Sequence, residues 1–154
     1  MRASLLLSMS VLIAVPGCSA FAPPEVLPEW VESQVPSGPP MRDMMQVCNL
    51  AIVRADFPPG LPDLVDRRLE SGWDVQLSPY SNRGIRSMAT IEVVDQGNRN
   101  YLVRVHVLVQ VNKEKHQPLN RAVAIWEDKV ASPGRARLVL EHIIAQVRPR
   151  GLRQ

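Results

Sequence analysis

A run of alternating valines in the second half of the chain most constrains what it can fold into. The valines occupy every second position of the segment 101–111: Val103, Val105, Val107, Val109 and Val111. Successive side chains of an extended strand point to opposite faces, so these valines all project to one side. A face this apolar has to be covered. The segment therefore predicts a strand buried on one side by a second layer of structure.

The opposite face of that strand is predicted to be partly solvated. It carries Leu102, Arg104, His106, Leu108 and Gln110. A mixed polar face of this kind is typical of an antiparallel sheet that has one face in water. We identify Arg104 and His106 as candidate residues of a polar binding surface on the sheet. The alternative is an ordinary solvated face without a partner.

Three further segments have the composition of strands. Residues 73–80 alternate apolar and polar side chains up to Pro79, residues 87–95 are rich in β-branched side chains, and residues 121–127 follow a polar loop. Consecutive strands with short connections predict an antiparallel sheet of about four strands.

Helices are predicted on both sides of this run of strands. Apolar residues recur at three- and four-residue steps over 41–55, over 62–71 and from Pro133 to Val147, which is the spacing of one helix face. The resulting order is α-α-β-β-β-β-α. It predicts an α+β fold, a two-layer sandwich with the helices packed on one face of the sheet.

The N-terminal residues are typical of an export signal. Arg2 supplies a positive charge and residues 4–15 form an apolar block. A helix of that length, at ~1.5 Å per residue, is too short for the ~30 Å hydrocarbon core of a bilayer. The length suits the apolar core of a cleaved signal peptide.

The end of this block resembles the signal of bacterial lipoproteins, the lipobox. Val15 stands three residues before Cys18, and the small residue Gly17 stands just before it. The resemblance implies cleavage before Cys18 and a thioether between its sulfur and diacylglycerol. Ser19 in place of an aspartate points to the outer membrane. The alternative is ordinary secretory cleavage after Ala20, which would leave a periplasmic or secreted protein.

On this basis we predict a signal peptide over 1–17, a proline-rich tether over 18–40 and one α+β domain over 41–154. Six prolines fall between residues 23 and 40, where they favour extended backbone over helix. If Cys18 carries a lipid, Cys48 has no disulfide partner, because the chain has only two cysteines. Its apolar helical surroundings predict a small buried side chain.

Composition argues against nucleic acid as a partner. The formal net charge is only +3 and aromatic residues make up 5% of the chain, which leaves few positive charges and few stacking platforms. Two groups of basic residues remain candidates for contact with anionic headgroups or lipopolysaccharide phosphates. They are the segment 82–86 and the C-terminal arginines Arg135, Arg137, Arg148 and Arg150.

The sequence contains no arrangement that predicts catalysis. His106, His116 and His142 do not have the spacing of metal ligands, and neither a phosphate-binding loop nor a G-x-S-x-G pattern occurs. We therefore predict no catalytic, cofactor-binding or metal-binding residues and no cofactor.

The predicted function is that of a non-enzymatic binding or scaffold module. We expect a lipid-anchored protein of the bacterial envelope, held at the outer membrane, with another envelope protein as its partner. The alternative is a secreted or periplasmic domain that binds a small ligand between sheet and helices. Residues 41–154 resemble no family.

Overall fold

The computed structural model describes residues 29–129 and 133–147, which form one sheet and two helices. The elements are β1 (Val31–Val35), α1 (Met41–Arg54), β2 (Leu61–Asp63), β3 (Arg68–Glu70), β4 (Asp74–Gln76), β5 (Ile85–Asp95), β6 (Tyr101–Asn112), β7 (Trp126–Lys129) and α2 (Gly134–Val147). The predicted α+β class with an antiparallel sheet is confirmed. Within the described residues the sheet has seven strands rather than about four.

Two long central strands organise the sheet. β5 and β6 pair along their whole length, from Ile85 opposite Val111 to Asp95 opposite Tyr101. On its outer side β5 pairs with β4 near one end and with β3 further along, and β2 continues the sheet beyond β3. On its outer side β6 pairs with β1 and then with β7. The sheet therefore has two ends, one flanked by β4 and β7 and the other by β1 and β3.

The core lies between the valine face of β6 and the two helices. Val103, Val105 and Val107 are almost completely buried, as predicted, and Val111 is buried with them, whereas Val109 is only partly covered. The helices contribute buried side chains at three- and four-residue steps: Met44, Met45, Cys48, Ala51 and Ile52 from α1, and Ala136, Val139, Leu140 and Ile143 from α2. Periodicity placed both helices within a residue or two of their observed bounds.

The predicted helix over 62–71 is wrong, because this segment forms the β2–β3 hairpin. The Asp63 carboxylate accepts hydrogen bonds from the backbone N–H groups of Val65 and Asp66, which closes a tight turn and lowers the pKa of Asp63. Of the apolar residues that suggested a helix face, Leu69 alone is buried, and it lies opposite Ile91 of β5. Pairing with β5 satisfies the backbone here in place of helical hydrogen bonds.

Two predicted strands are shorter than expected, and one segment of the predicted tether is a strand. The segment 73–80 contributes only β4, and 121–127 contains a 3₁₀ turn at Arg121–Val123 before β7 begins at Trp126. β1 forms inside the segment predicted as a tether, where it pairs with the first half of β6. The sheet therefore begins ahead of the predicted domain start at residue 41.

Candidate binding surface

Both helices pack on the valine face, so neither helix of the described chain covers the second face of the sheet. We call it the open face. Its central residues alternate with the buried ones along β5 and β6, and most are half-buried: Arg86, Met88, Glu92, Leu102, Arg104, His106, Leu108 and Gln110. The structure thus places Arg104 and His106 on a partly solvated sheet face. All three tryptophans of the chain contact residues of this face.

At the β4–β7 end of the open face, two tryptophans flank one arginine. The guanidinium carbon of Arg86 lies 4.1 Å from the ring centroid of Trp73 and 4.7 Å from that of Trp126. The Arg86 Nε donates a 2.6 Å hydrogen bond to Gln110 Oε1, and the Gln110 Nε2 donates a 2.7 Å bond to the Asp128 carboxylate. We call Trp73, Arg86, Gln110 and Trp126 the clamp. It spans β5, β6 and β7 and the residue that precedes β4.

Arg86 carries its charge in an unfavourable environment. Among the described residues, no carboxylate lies within ion-pair distance of its guanidinium, and Gln110 is its hydrogen-bond partner. Desolvation lowers the pKa of Arg86, the positive charge of Arg121 lowers it further, and Asp128 opposes both effects. The clamp therefore holds a partly desolvated cation that, among the described residues, reaches a carboxylate only indirectly, through Gln110 to Asp128.

At the β1–β3 end, the same face carries a row of alternating charges. Arg104 lies 3.6 Å from the Glu32 carboxylate and 3.7 Å from that of Glu92, and Arg68 lies 3.8 Å from Glu92 and 2.7 Å from Glu70. We call these five residues the charge ladder. Each arginine in the ladder has two carboxylates beside it, so opposite charges meet across neighbouring strands.

Trp30 and His106 attach the start of the described chain to the charge ladder. The Trp30 ring lies 5.6 Å from the His106 ring, and the Arg104 guanidinium carbon lies 5.0 Å from the Trp30 centroid. His106 Nδ1 lies 3.2 Å from the backbone oxygen of Glu29. Both residues predicted for a polar surface are therefore engaged in holding the entry to β1.

A single buried amide holds the loop beside the clamp. Asn112 is 1% exposed, and its Oδ1 accepts hydrogen bonds from the backbone N–H groups of Glu114 and Ile125. Its Nδ2 donates to the Pro118 carbonyl. The loop between β6 and β7, which carries Arg121, is thus fixed from its centre, and Trp126 follows where it rejoins the sheet.

The predicted C-terminal arginines do not form one surface in the described part of the chain. Arg135 is half-buried, with its Nη1 3.0 Å from the Asp74 carboxylate and 2.6 Å from Ser87 Oγ. Its guanidinium carbon lies 3.9 Å above the Phe57 ring. Arg137 is exposed. Arg148, Arg150 and the predicted lipidation residue Cys18 lie outside the described residues.

No group suited to metal binding or nucleophilic attack stands out in the described residues. They contain no cluster of three or more histidine, cysteine or acidic side chains that could hold a metal ion. The Cys48 thiol lies in the core, where burial raises its pKa to about 12, so it stays protonated and inert. Cys48 thus occupies the apolar helix face that its sequence pattern predicted.

Two clefts are lined by residues that do not belong to the clamp. One, of about 230 Å³, is lined by Gln34, Val35, Pro36, Gln96, Asn100 and Tyr101. The other is a shallow depression of about 480 Å³ lined by Pro79, His116, Gln117, Pro118, Leu119 and Asn120. Neither brings a titratable group with a raised or lowered pKa together with a second charged side chain, so neither has the features of a catalytic site.

Sequence reasoning missed the clamp. It grouped Arg86 with the basic residues of the segment 82–86 rather than with Trp73 or Trp126, whereas Arg86 lies inside β5. The signal that could have found them is strand register. If β5 begins at Ile85, Arg86 faces away from Ser87 and Ala89, and the central hairpin then sets it beside Gln110.

Comparison with known proteins supplies no family for the chain. No family model matches it, and no curated protein matches it significantly in sequence. Among the described residues, neither helix combines the length and the apolar character needed to cross a bilayer.

Proposed function

We propose that this chain is a non-enzymatic binding module that holds a protein partner through the clamp end of its open face. We further propose that the partner belongs to the bacterial envelope and that a lipid on Cys18 keeps the module at the outer membrane. The clamp carries the proposal, because tryptophan and arginine are the side chains most enriched at the energetic centres of protein interfaces.

The geometry of the clamp favours binding over a purely structural role. Trp73 and Trp126 are half-buried rather than enclosed in the core, so part of each indole remains available to a partner. The neighbouring positions Met88 and Leu108 are opposite each other on the same face and add apolar surface. An apolar centre with a few fixed polar groups is the composition of an interface core.

The sequence supports a lipid anchor, and the fold limits how far the domain can lie from that anchor. The lipobox resemblance at Val15, Gly17 and Cys18 supports lipidation. Glu29 lies against the sheet through His106. The eleven residue steps from Cys18 to Glu29 can span at most about 40 Å of extended chain. An anchored domain would therefore stay close to the bilayer.

The alternative, a small ligand between sheet and helices, has less support. The described side chains that face each other across that interface, such as Ile52, Val105 and Ile143, are fully buried in one another. A ligand there would have to displace this packing.

Site-specific crosslinking in the native host tests the partner. A photoreactive amino acid replaces Leu108, which lies on the open face, and in a control it replaces Gln46, which is exposed on α1. We expect a discrete adduct from position 108, lost in Trp73→Ala, and none from position 46. Equal adducts at both positions, or an adduct indifferent to Trp73→Ala, would contradict the proposal.

Membrane fractionation tests the anchor separately. We expect Cys18→Ala to release the protein from membranes, and mass spectrometry of the wild-type N-terminus to find a diacylglyceryl group on Cys18. An unmodified mature N-terminus beyond Cys18 would rule out lipidation and leave the binding proposal to stand on the clamp alone.

A further inference from the structure

Among the residues that the structure describes, three half-buried arginines contact aromatic rings, and one differs from the other two. Arg104 contacts Trp30 and pairs with Glu32 and Glu92. Arg135 contacts Phe57 and pairs with Asp74. Arg86 contacts two rings, yet none of the described carboxylates pairs with it. The described residues pair the first two cations directly with carboxylates, whereas the third has no carboxylate within ion-pair distance among them.

The hydrogen-bonding of Arg86 shows which part of the guanidinium is free. Nε donates to Gln110, and the described residues supply no acceptor for the two terminal nitrogens. The Trp73 and Trp126 rings, with centroids 4.1 and 4.7 Å from the guanidinium carbon, take up part of the space around the group. The edge formed by Nη1 and Nη2 is the part that can donate two parallel hydrogen bonds to a planar acceptor.

Electrostatics near the clamp favour an anion at that edge. Arg121 adds a second positive charge on the loop held by Asn112, and Asp128, the nearby acid, is already an acceptor for Gln110. The partial desolvation of Arg86 strengthens any charge-assisted bond it forms, because water screens the pair less.

We propose that the clamp recognises a carboxylate, supplied by an aspartate or glutamate side chain in an acidic segment of a protein partner. The carboxylate would take the Nη1–Nη2 edge of Arg86, and the methylene groups of the acidic side chain would pack on Trp73 and Trp126. A planar carboxylate matches one guanidinium edge, whereas phosphate sites are usually built from several converging donors. The inference rests on the proposed function and names the chemistry of its partner.

A peptide titration followed by NMR tests this on the full chain in mild detergent. The probe is a short acetylated peptide amide of alternating alanine and glutamate, and the matched control has glutamine in place of every glutamate. We expect the glutamate peptide to shift the indole N–H signals of Trp73 and Trp126 but not that of Trp30. The glutamine peptide should bind at least about tenfold more weakly, which corresponds to one charge-assisted pair.

Variants separate the charge of Arg86 from its shape. Arg86→Met should abolish the shifts. Arg86→Lys keeps the positive charge but lacks the planar guanidinium, so it should weaken binding several-fold. Arg104→Met is the matched control on the same face, and its affinity for the probe should stay within about twofold of wild type. Equal binding of the two peptides, or full binding by Arg86→Met, would overturn the inference.

The remaining measurements distinguish a carboxylate ligand from other anions. They also separate failure of the carboxylate inference from failure of the proposed function. Inorganic phosphate, or phosphatidylglycerol vesicles set against phosphatidylcholine vesicles, should compete poorly; stronger binding of either than of the glutamate peptide would overturn the carboxylate assignment. If the crosslink at position 108 depends on Trp73 but not on Arg86, the inference fails and the proposed function stands. If the peptide binds but no clamp-dependent crosslink forms, the clamp recognises carboxylates, and the proposal of a protein partner in the envelope fails.

Discussion

Both ends of the open face contain an arginine in contact with tryptophan, but the two ends differ in whether a carboxylate pairs with that arginine. At the β1–β3 end, Arg104 lies beside Trp30 and between two carboxylates. At the β4–β7 end, Arg86 lies beside two tryptophans and has only an amide, Gln110, as its hydrogen-bond partner among the described residues. Both arginines contact tryptophan rings, but of the two, Arg104 alone has described carboxylates within ion-pair distance.

This contrast shows that ring contact alone does not identify a binding arginine. A paired arginine can be explained by the stability of the sheet, because its neighbours offset the cost of holding a charge there. An unpaired and partly desolvated arginine has no such explanation, and natural proteins accept local costs of this kind where they bind other molecules. Four substitutions test the contrast through the free energy of unfolding.

The largest loss of folding stability is expected for Asn112→Ala, which removes the hydrogen bonds that hold the loop beside the clamp. Asn112→Ala removes the acceptor of two backbone N–H groups and the donor to Pro118, all around a residue that is 1% exposed. We expect a loss of about 3 kcal/mol in urea unfolding. A loss below about 1 kcal/mol would show that Asn112 does not fix the loop beside the clamp.

Arg135→Met should cause the second-largest loss in the free energy of unfolding. It leaves the Asp74 carboxylate, whose side chain is 19% exposed, with Gln76 alone and deprives Ser87 of its donor. We expect about 2 kcal/mol of destabilisation, less than for a fully buried pair because Arg135 itself is partly solvated. The double variant Arg135→Met, Asp74→Asn should recover part of the loss, and additive losses would contradict the pairing.

Arg104→Met should cost about 1 kcal/mol. Its two ion pairs are longer than 3.5 Å and partly exposed, so each contributes little, and Glu92 keeps Arg68 as a partner. Raising the salt concentration should shrink the difference between wild type and variant, because salt screens exposed pairs. A difference that is independent of salt would mean that Arg104 acts through packing on Trp30.

The smallest effect is expected at the clamp itself. Arg86→Met removes the hydrogen bond to Gln110, but it strands no described carboxylate. It also removes a charge that Arg121 repels, and a methionine side chain can still contact the two indoles, so these gains offset the lost bond. The free energy of unfolding should stay within about 0.5 kcal/mol of wild type. A destabilisation as large as that of Arg104→Met would remove the difference between the two ends and assign Arg86 a structural role.

Much of the frame of this fold is predictable because it depends on local periodicity. Alternation over 101–111 located β6 and its buried side, and three- and four-residue steps located α1 and α2. The β2–β3 hairpin was not predictable in this way. Leu61, Leu64 and Val65 have helical spacing, but the Asp63 turn and pairing with β5 override it.

The clamp depends on register, which periodicity does not determine. Trp73, Arg86 and Trp126 are far apart in the chain and meet only because β5 and β6 pair as they do, with β4 and β7 on their outer sides. A single-residue slip in any of these pairings would turn one of the three side chains to the opposite face. The sequence therefore identifies the three residues but does not predict that they lie next to one another.

The placement of β1 has a mechanical consequence. β1 pairs only with the first half of β6, through Val31 opposite Val105 to Val35 opposite Tyr101, and the clamp lies along the other half. If a lipid anchors the chain ahead of Glu29, any pull from the membrane reaches the sheet first at Trp30 and β1. Tension would then separate β1 from β6 before it reached Trp73 and Trp126, which lie at the opposite end of the sheet.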